Sequence, residues 1–573
     1  MSPWDYVKLV AGVGGGAYIL QWWISVVDRV DGFWTPFVLT ITLTIAAASV
    51  VMGIASLVSK DNDDIPSVPG ALPFLGNVGI YRDVERFTSN VEAAVKRYEN
   101  DKGFTSLRLP SLNPFGRRVI LVNNKDAIQQ MLTRRPTTFE RPQLLVDVMH
   151  GMLGFSKDLS VFTSGGFADW GRARRITSPS FNHTNVATMK PQCFEVAASL
   201  VQRWLEAAKH YATGDVVDAL EDFNLFTFSV VAQVGFGLPF DALSSDSTLQ
   251  DTREGAPKPL STLLPDLKET TKHQGDWTLN PLLQVLDPLF SKTKLNETII
   301  KRDRVRDYLD ELIEFEKKQL EEGGHSKSLL SKLSDPATKL TAEEVISNFT
   351  TYFFAGVDTT AVGLSWSICY AALDRSLQRK LAEEADAAGV TAWIRARLLG
   401  SKQQDLPFSD VGIATLLSNS SKNPLKLARG VFLEALRLHP PASQLGADVG
   451  ADGAELMGYR FEPGTLMFQM LRNQMCSERN NVKEPASFSP ERWCEDSPDK
   501  IDDAFLSALM FGGGPRICPG RHLSVLEASI VLSCIFSHLE VHNVSGGAAL
   551  PAEVTRFTMQ PEMALVRVSR RIN

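Results

Sequence analysis

Two long apolar runs precede the mixed polar and apolar sequence that makes up most of the chain. Residues 9–27 are apolar apart from Gln21 and small polar groups, and residues 33–58 carry no charged side chain. An apolar run of about 20 residues is long enough to cross a bilayer as a helix. We therefore expect residues 1–60 to be an N-terminal membrane anchor with one or two transmembrane helices. An interfacial helix is the alternative for the first run.

Residues 61–77 join the apolar runs to the rest of the chain. The segment starts with the acidic stretch at residues 61–64 and continues with several prolines. Because proline fixes φ and disfavours helix, this composition predicts a semi-rigid hinge. Residues 78–573 are then expected to form one large domain.

Beyond the hinge, the spacing of apolar residues predicts helices and short strands. Thr341 and Glu344 have capping-box spacing, which predicts a long helix from there to about Leu373. Residues 384–423 are longer than expected between two flanking helices, and we expect an exposed insertion there. Further helices are predicted from residue 126 and at residues 215–236, 296–321 and 523–539, and strands at residues 105–109, 118–122, 461–469 and 555–559.

Composition narrows the classes of protein that fit. The 573 residues include 44% hydrophobic ones, and the formal net charge of −7 is not that of a nucleic-acid binder. The six cysteines are scattered and form neither a CxxC pair nor zinc-finger spacing. This distribution indicates a reducing compartment rather than a disulfide framework.

A glycine-rich loop at residues 511–520 presents one cysteine directly before a predicted helix. The three glycines from Gly512 to Gly514 allow a flat ligand to approach the backbone closely, and they tolerate positive φ. Cys518 lies near the helix N-terminus, where the dipole and free N–H groups favour a thiolate. Such a thiolate is a good axial ligand for haem iron. The alternative for a lone cysteine after three glycines is a buried structural residue.

The complete spacing favours the first interpretation. Phe511, Gly514, Arg516, Cys518 and Gly520 form the pattern Phe-x-x-Gly-x-Arg-x-Cys-x-Gly. This pattern resembles the haem-binding loop of the cytochrome P-450 family of haem-thiolate monooxygenases. The resemblance covers residues 65–573 and implies a cytochrome P-450 fold, a single large haem domain that is mainly α with a small mixed β-sheet. It implies haem b as the cofactor, Cys518 as the metal ligand and the other four positions as cofactor-binding.

An acid and an alcohol stand side by side in the middle of the long helix predicted after Thr341. Asp358 and Thr359 could deliver protons through water to a reacting oxygen. The segment resembles the family's oxygen-activating element, which implies that Asp358 moves protons inward and that Thr359 hydrogen-bonds the iron-bound oxygen. Gly356 lacks a Cβ atom and is expected to let a flat ligand or dioxygen approach the helix backbone.

The resemblance assigns roles to further residues. Trp170 and Arg174 are four residues apart on one helix face and match the pair that holds a haem propionate. Glu434, Arg437 and Arg492 match a buried charge triad near the haem-binding loop. The implied substrate-pocket positions are Ala355, Ala442, Ser443, Gln444 and Phe557.

One position departs from the family pattern. Many relatives carry an arginine that binds a propionate six residues after the second proline of the motif here written His439-Pro440-Pro441. This chain has Ala447 there. Haem is therefore anchored differently at that corner, or another residue replaces the arginine.

These observations predict a membrane-anchored monooxygenase that inserts one oxygen atom from dioxygen into an apolar small molecule. Candidate substrates are a lipid, terpenoid, sterol or polyketide-like compound. The resemblance implies that electrons come from NADPH through a separate reductase or a cytochrome b-type donor. It also implies an endoplasmic reticulum membrane, with the catalytic domain facing the cytosol. No nucleic acid is expected as a partner.

Two other functions fit the same scaffold. One is a haem-thiolate isomerase, dehydratase or peroxygenase, and the presence of Asp358 and Thr359 counts against it. The other is a non-catalytic haem sensor or carrier, which turnover with a reductase or peroxide would distinguish from an enzyme.

Overall fold

The structure is a computed structural model, and part of the chain is described here. The predicted anchor at residues 1–60 lies outside the described part. Within that part, no helix is both long enough and apolar enough to span a membrane. The described residues are 64–72, 76–81, 83–109, 117–153, 160–164, 167–210, 216–237, 241–243, 266, 269, 292–322, 328–399, 424–480, 482–494, 497, 504–544 and 549–572.

Helices dominate the described residues, and the strands are short, as the family resemblance implies. The α-helices are α1 (Val78–Tyr81), α2 (Phe87–Tyr98), α3 (Lys125–Thr133), α4 (Gln143–Leu153), α5 (Phe167–Thr177), α6 (His183–Ala187), α7 (Lys190–Ala208), α8 (Ala219–Phe236), α9 (Lys292–Glu321), α10 (Leu329–Ser334), α11 (Ala342–Ala371), α12 (Arg375–Ala387), α13 (Val390–Leu398), α14 (Lys426–Leu438), α15 (Leu471–Met475), α16 (Ala504–Met510) and α17 (Arg521–His538). The strands are β1 (Phe104–Leu109), β2 (Arg117–Val122), β3 (Phe139–Glu140), β4 (Val217–Asp218), β5 (Gln444–Val449), β6 (Ala454–Leu456), β7 (Tyr459–Phe461), β8 (Leu466–Met470), β9 (Leu539–Asn543), β10 (Glu553–Thr555), β11 (Met559–Pro561) and β12 (Leu565–Arg570).

The chain divides into two compact units, and the smaller one comprises residues 1–82 and 93–122. Its β1 and β2 pair antiparallel, with Leu107 opposite Val119. The proline-rich segment lies against this hairpin, because the N–H of Val68 donates to the carbonyl of Ser106 over 2.7 Å. Ile65 and Val68 are buried. Part of the predicted hinge is therefore ordered by backbone pairing and apolar burial.

Helix α11 is the central helix of the larger unit, residues 83–92 and 123–573. It starts at the predicted capping box, in which the N–H of Glu344 donates to Thr341 and a Glu344 carboxylate oxygen accepts from the N–H of Thr341. The helix ends at Ala371, close to the predicted end, and most of its side chains are buried. A Cβ atom on Gly363 would lie 2.7 Å from the Phe432 ring, so this glycine permits the close approach of α14.

Small antiparallel sheets flank these helices in the larger unit. Strand β5 pairs with β8 and with β3. Strand β12 pairs with β9 and with β4. Two hairpins, β6–β7 and β10–β11, complete the set described for this unit. The tip of the β10–β11 hairpin contains Phe557, so the strand predicted over residues 555–559 is interrupted by a turn.

Two sequence expectations need correction. The helix predicted over residues 215–236 begins only at Ala219, because the preceding residues form β4 and pair with β12. The predicted exposed insertion at residues 384–423 is partly a packed structure. Its first part belongs to α12 and α13, where Trp393 and Ile394 are buried and the Trp393 ring lies 5.2 Å from that of Phe194. Residues 400–423 lie outside the described ranges.

Three side chains surround one fully buried carboxylate, that of Glu434, near the end of α14. Arg437 donates two hydrogen bonds, of 2.8 and 2.9 Å, to Glu434. Arg492 Nε lies 3.0 Å from Glu434 Oε1, and the indole N–H of Trp493 donates to Oε2 over 2.8 Å. The structure thus brings together the three residues of the predicted triad. Sequence reasoning missed Trp493, the third side chain around this carboxylate.

The two arginines also bind the backbone of the loop that follows α15. Arg437 donates to the carbonyl of Pro485 over 2.7 Å, and Arg492 donates to that of Lys483 over 2.8 Å. A buried ion pair is costly to desolvate and becomes more so when one partner is lost. Glu434 therefore keeps two loop-binding arginines in place.

Replacing Glu434 by Gln should destabilise the fold by about 3–5 kcal/mol, since two buried guanidinium groups lose their counter-charge. Chemical denaturation of the purified protein measures this change. The exposed pair of Lys380 and Glu491, 2.8 Å apart, provides the control. Glu491→Gln should cost no more than about 1 kcal/mol, and equal effects of the two substitutions would refute the role assigned to Glu434.

Candidate functional site

The loop before α17 has a shape that only its glycines permit. Gly512, Gly513 and Gly514 all have positive φ. A Cβ atom on Gly514 would lie 2.0 Å from the Leu132 carbonyl oxygen, so no other residue fits there without displacing α3. The N–H of Cys518 donates to the carbonyl of Phe511 over 2.8 Å and closes the loop. The cysteine is thereby presented at a fixed place.

Opposing influences act on the Cys518 thiol. Burial raises its pKa, whereas hydrogen bonds from the backbone N–H groups of Gly520 and Arg521 and the charges of Arg174 and Arg521 lower it. Burial dominates, so the expected preference for a thiolate at the helix N-terminus is not met by the polypeptide alone. A metal cation at the sulfur would favour the thiolate strongly.

Trp170, Arg174 and Arg516 lie together beside this loop. The Arg516 guanidinium stands over the Trp170 ring at 5.0 Å from its centroid. Arg174 donates to the carbonyl of Ile517 over 2.8 Å, and Arg516 donates to that of Ser164 over 2.5 Å. The predicted pair on α5 therefore lies next to the cysteine loop, although Arg174 and Cys518 are 344 positions apart in the sequence.

Two further arginines, which sequence reasoning missed, join Arg516. Burial lowers the pKa of Arg135 to about 10, and burial together with the positive charges of Arg135 and Arg516 lowers that of Arg141. Burial and Arg135 also lower the pKa of Arg516 to about 9. Nε and Nη2 of Arg135 and Nε of Arg141 are buried and have no hydrogen-bond partner among the described residues. Such a cluster suits an anionic ligand with more than one carboxylate.

The structure also explains how Arg141 reaches this place. A Cβ atom on Gly446 would lie 2.8 Å from Pro142, so the glycine lets the segment that carries Arg141 lie close to β5. Ala447, where relatives carry the arginine, is buried in β5 opposite Met467.

In the middle of α11, acid and alcohol occupy adjacent positions as predicted. The Thr359 hydroxyl donates to the carbonyl of Ala355 over 2.7 Å. The Asp358 carboxylate accepts a hydrogen bond of 2.6 Å from the hydroxyl of Thr558, at the tip of the β10–β11 hairpin. The expectation for Gly356 was wrong: a Cβ atom there would lie 3.0 Å from Val231, so the glycine accommodates α8 rather than a flat ligand.

The predicted pocket positions differ in their surroundings. Ala355 and Ala442 are exposed, and the Phe557 ring packs edge to face on Phe354 with 5.1 Å between centroids. Ser443 is instead buried, and its carbonyl accepts from the N–H of Arg472. Gln444 is half-buried in β5, with an amide nitrogen that has no hydrogen-bond partner in the described part.

The comparisons with known proteins agree with this arrangement. The cytochrome P450 family model matches residues 66–568. The chain is 24% identical to the cytochrome P450 CYP13A8 of Caenorhabditis elegans over 88% of this chain and 94% of that protein. It is 26% identical to the cytochrome P450 monooxygenase traB of Penicillium crustosum over 69% and 72%, respectively. It is 24% identical to the ganoderic acid synthetase CYP5150L8 of Ganoderma lucidum over 84% and 88%.

The chain belongs to the cytochrome P450 family, because the family model spans most of its length. It is a cytochrome P450 monooxygenase, an enzyme class that works with haem held by a cysteine thiolate. Its arginine cluster and glycine-rich cysteine loop fit a flat cofactor that carries two carboxylates and a metal cation. Enzymes of this family use a redox partner, dioxygen and a small-molecule substrate.

A buried acid on α17 hydrogen-bonds a residue of α11. Glu527 of α17 is 1% exposed and hydrogen-bonds Thr360, whose hydroxyl contacts that of Ser524 over 3.2 Å. Burial raises the pKa of Glu527 well above its usual value. Sequence reasoning missed this residue, although a single acid in an apolar helix was the available signal. The raised pKa favours the protonated form in the folded protein, and the hydrogen bond to Thr360 connects α17 with α11.

This protonation predicts how stability depends on pH. The unfolded chain releases the Glu527 proton above a pKa of about 4.3, whereas the folded protein keeps it, so this residue costs stability as pH rises. Glu527→Gln should therefore raise the unfolding temperature relative to the wild type at about pH 8 and change it little at about pH 5. Glu478→Gln, an exposed substitution, controls for the lost charge. A gain that is the same at both pH values would contradict the assignment.

Proposed function

We propose that Cys518 is the axial ligand of a haem b, and that the chain inserts one oxygen atom from dioxygen into an apolar small molecule. The observation that carries this proposal is the cysteine loop. Its glycines fit their positions tightly, and backbone N–H groups point at the sulfur. When bound, haem with a thiolate ligand supplies the activation of dioxygen.

We propose that the guanidinium groups of Arg135, Arg141, Arg174 and Arg516 hold the two propionates, together with the indole N–H of Trp170. Burial and mutual repulsion make the arginines costly without an anion, which supports this role. Arg141 would replace the arginine that relatives carry at the position of Ala447.

Asp358 and Thr359 are proposed to move protons. Asp358 would accept a proton from water at a carboxylate oxygen and pass it inward. The Thr359 hydroxyl now donates to Ala355. A rotation about its χ1 would direct the same proton toward a reacting oxygen. Phe511, Gly514 and Gly520 would shape the loop on the other side of the cofactor.

The remaining parts of the proposal concern substrate, electrons and location. Ala355, Ala442, Gln444 and Phe557 would line a pocket for a lipid, terpenoid, sterol or polyketide-like compound, with Ser443 behind them. NADPH would supply electrons through a separate reductase or a cytochrome b-type donor.

Residues 1–60 would anchor the enzyme in the endoplasmic reticulum membrane. Residues 61–77 would link the anchor to the domain, and residues 78–573 would form the haem domain. The uncharged run at residues 33–58 supports the anchor.

The carbon monoxide difference spectrum of the reduced protein tests the ligand. The wild type should give the strongly red-shifted Soret band of a thiolate complex, and Cys518→Ala should lose that band and all activity. Cys494→Ala changes another partly exposed cysteine and should keep the band. A thiolate-type band in Cys518→Ala would overturn the proposal.

Thr359→Ala should leave haem bound but divert electrons to hydrogen peroxide. The fraction of NADPH electrons that reach product should fall on the order of tenfold or more, because general acid–base groups typically contribute 10²–10⁴-fold. Thr351→Ala removes a hydroxyl with the same bond to a preceding carbonyl and is the control. Equal electron coupling in Thr359→Ala and the wild type would argue against the proton role.

A further inference from the structure

The carboxylate proposed to move protons is held by a residue of a different element. Thr558 Oγ1 donates to Asp358 Oδ2 over 2.6 Å, and Thr558 is only 4% exposed. A hydrogen bond from a hydroxyl to a carboxylate is short and stronger than one between neutral groups. This bond therefore constrains where the Asp358 carboxylate can point.

Thr558 belongs to the tip of the β10–β11 hairpin, which has a second contact with the same helix face. The neighbouring Phe557 ring packs on Phe354 with 5.1 Å between centroids. Phe354 precedes Asp358 by four residues, and residues four apart share one face of a helix. Two consecutive tip residues thus touch two consecutive turns of α11, one through an aromatic contact and one through a hydrogen bond.

Both strands of the hairpin are fixed to other parts of the larger unit. The N–H of Met559 donates to the carbonyl of Pro441 over 3.0 Å. Glu553, at the start of β10, accepts from Arg472 over 2.6 Å and contacts His439 Nδ1 at 2.7 Å. These contacts hold the hairpin in place, and the Thr558 hydroxyl therefore has a defined position relative to α11.

We propose that Thr558 is a positioning residue for the oxygen-activating reaction: its hydroxyl holds the Asp358 carboxylate in the orientation from which protons are delivered. The inference rests on the proposed proton role of Asp358. According to this inference, proton delivery by Asp358 also depends on the hairpin that carries the pocket residue Phe557. A substrate that displaces the Phe557 ring would then also displace the donor that orients Asp358, which links proton delivery to occupation of the pocket.

The test compares variants in two measurements that need no known substrate. The first is the infrared CO-stretching band of the reduced carbon monoxide complex, which responds to nearby polar groups. The second is the rate of NADPH oxidation by dioxygen with a reductase, in H₂O and in D₂O. Thr558→Val removes the hydroxyl at nearly constant volume, Thr558→Ser keeps it, and Thr558→Ala is a second removal in case the valine variant does not fold.

We expect Thr558→Val and Thr558→Ala to shift the CO band in the direction of Asp358→Asn and to slow NADPH oxidation about tenfold, with an altered solvent isotope effect. Thr558→Ser should restore wild-type behaviour. In an Asp358→Ala background, Thr558→Val should cause no further change, because alanine has no side-chain oxygen to which the Thr558 hydroxyl could donate. Thr555→Val removes another hydroxyl of the same hairpin, the acceptor of a bond from the Thr88 N–H, and should leave both measurements unchanged.

Two results would overturn the inference and can be told apart. If Asp358→Asn changes both measurements but the Thr558 variants do not, Asp358 acts without Thr558 and the inference alone is wrong. If Asp358→Asn itself changes neither measurement, the proposed proton role of Asp358 fails and the inference fails with it. The haem–thiolate assignment would still stand if the carbon monoxide complex keeps its thiolate-type Soret band.

Discussion

The buried carboxylate of Glu434 is the constraint on which the end of α14 and the loop at residues 483–487 depend. A fully desolvated carboxylate is tolerated only if its oxygens are saturated, and here Arg437, Arg492 and Trp493 do so. The same arginines bind backbone carbonyls of the loop at residues 483–487. A Cβ atom on Gly430 would lie 2.5 Å from the Pro490 carbonyl oxygen, so α14 can lie directly against the helical turn that follows this loop. The charge cluster therefore fixes a segment that has little regular structure of its own.

At the cofactor site, too, buried ionisable groups determine what the structure requires. Arg135, Arg141 and Arg516 repel one another in a poorly solvated place, and the Cys518 thiol is pushed toward its neutral form by burial. Neither feature stabilises the polypeptide alone. Both become favourable with a ligand that presents anionic groups to the arginines and a cation to the sulfur. The polypeptide is thus electrostatically complementary to the cofactor of its family, and cofactor binding should stabilise the fold by mass action.

Sequence predicted those features that depend on neighbours in the chain. The capping box of Thr341 and Glu344 formed as expected, because both of its hydrogen bonds lie within one helical turn. Gly356 was misjudged, since the space beside it is filled by Val231 from a distant helix. Arg141 was missed for the same reason. It belongs to the arginine cluster because it lies near Arg516, which is 375 positions away in the sequence. The burial of Trp393 likewise depends on Phe194 and could not be inferred from the length of the insertion.

The end of α14 connects the charge cluster around Glu434 with the β10–β11 hairpin. His439 directly follows this helix and contacts Glu553 through Nδ1 and the Tyr370 hydroxyl through Nε2, at 2.7 and 2.9 Å. Burial lowers the pKa of His439. Although burial opposes it, hydrogen bonds from His439 and Arg472 lower that of Glu553 to about 2.

These two shifts determine the direction of the hydrogen bonds. A carboxylate can only accept, so His439 donates from Nδ1 to Glu553, and in the neutral imidazole that the lowered pKa favours, Nε2 accepts from the Tyr370 hydroxyl. Because the imidazole ring also stacks on Trp366 of α11, 3.8 Å between centroids, its orientation is fixed on three sides. Arg437 of the charge cluster and His439 are two positions apart, so less than one helical turn joins the group that binds the loop at residues 483–487 to the group that contacts the hairpin. The end of a single helix thereby contributes to the position of both segments.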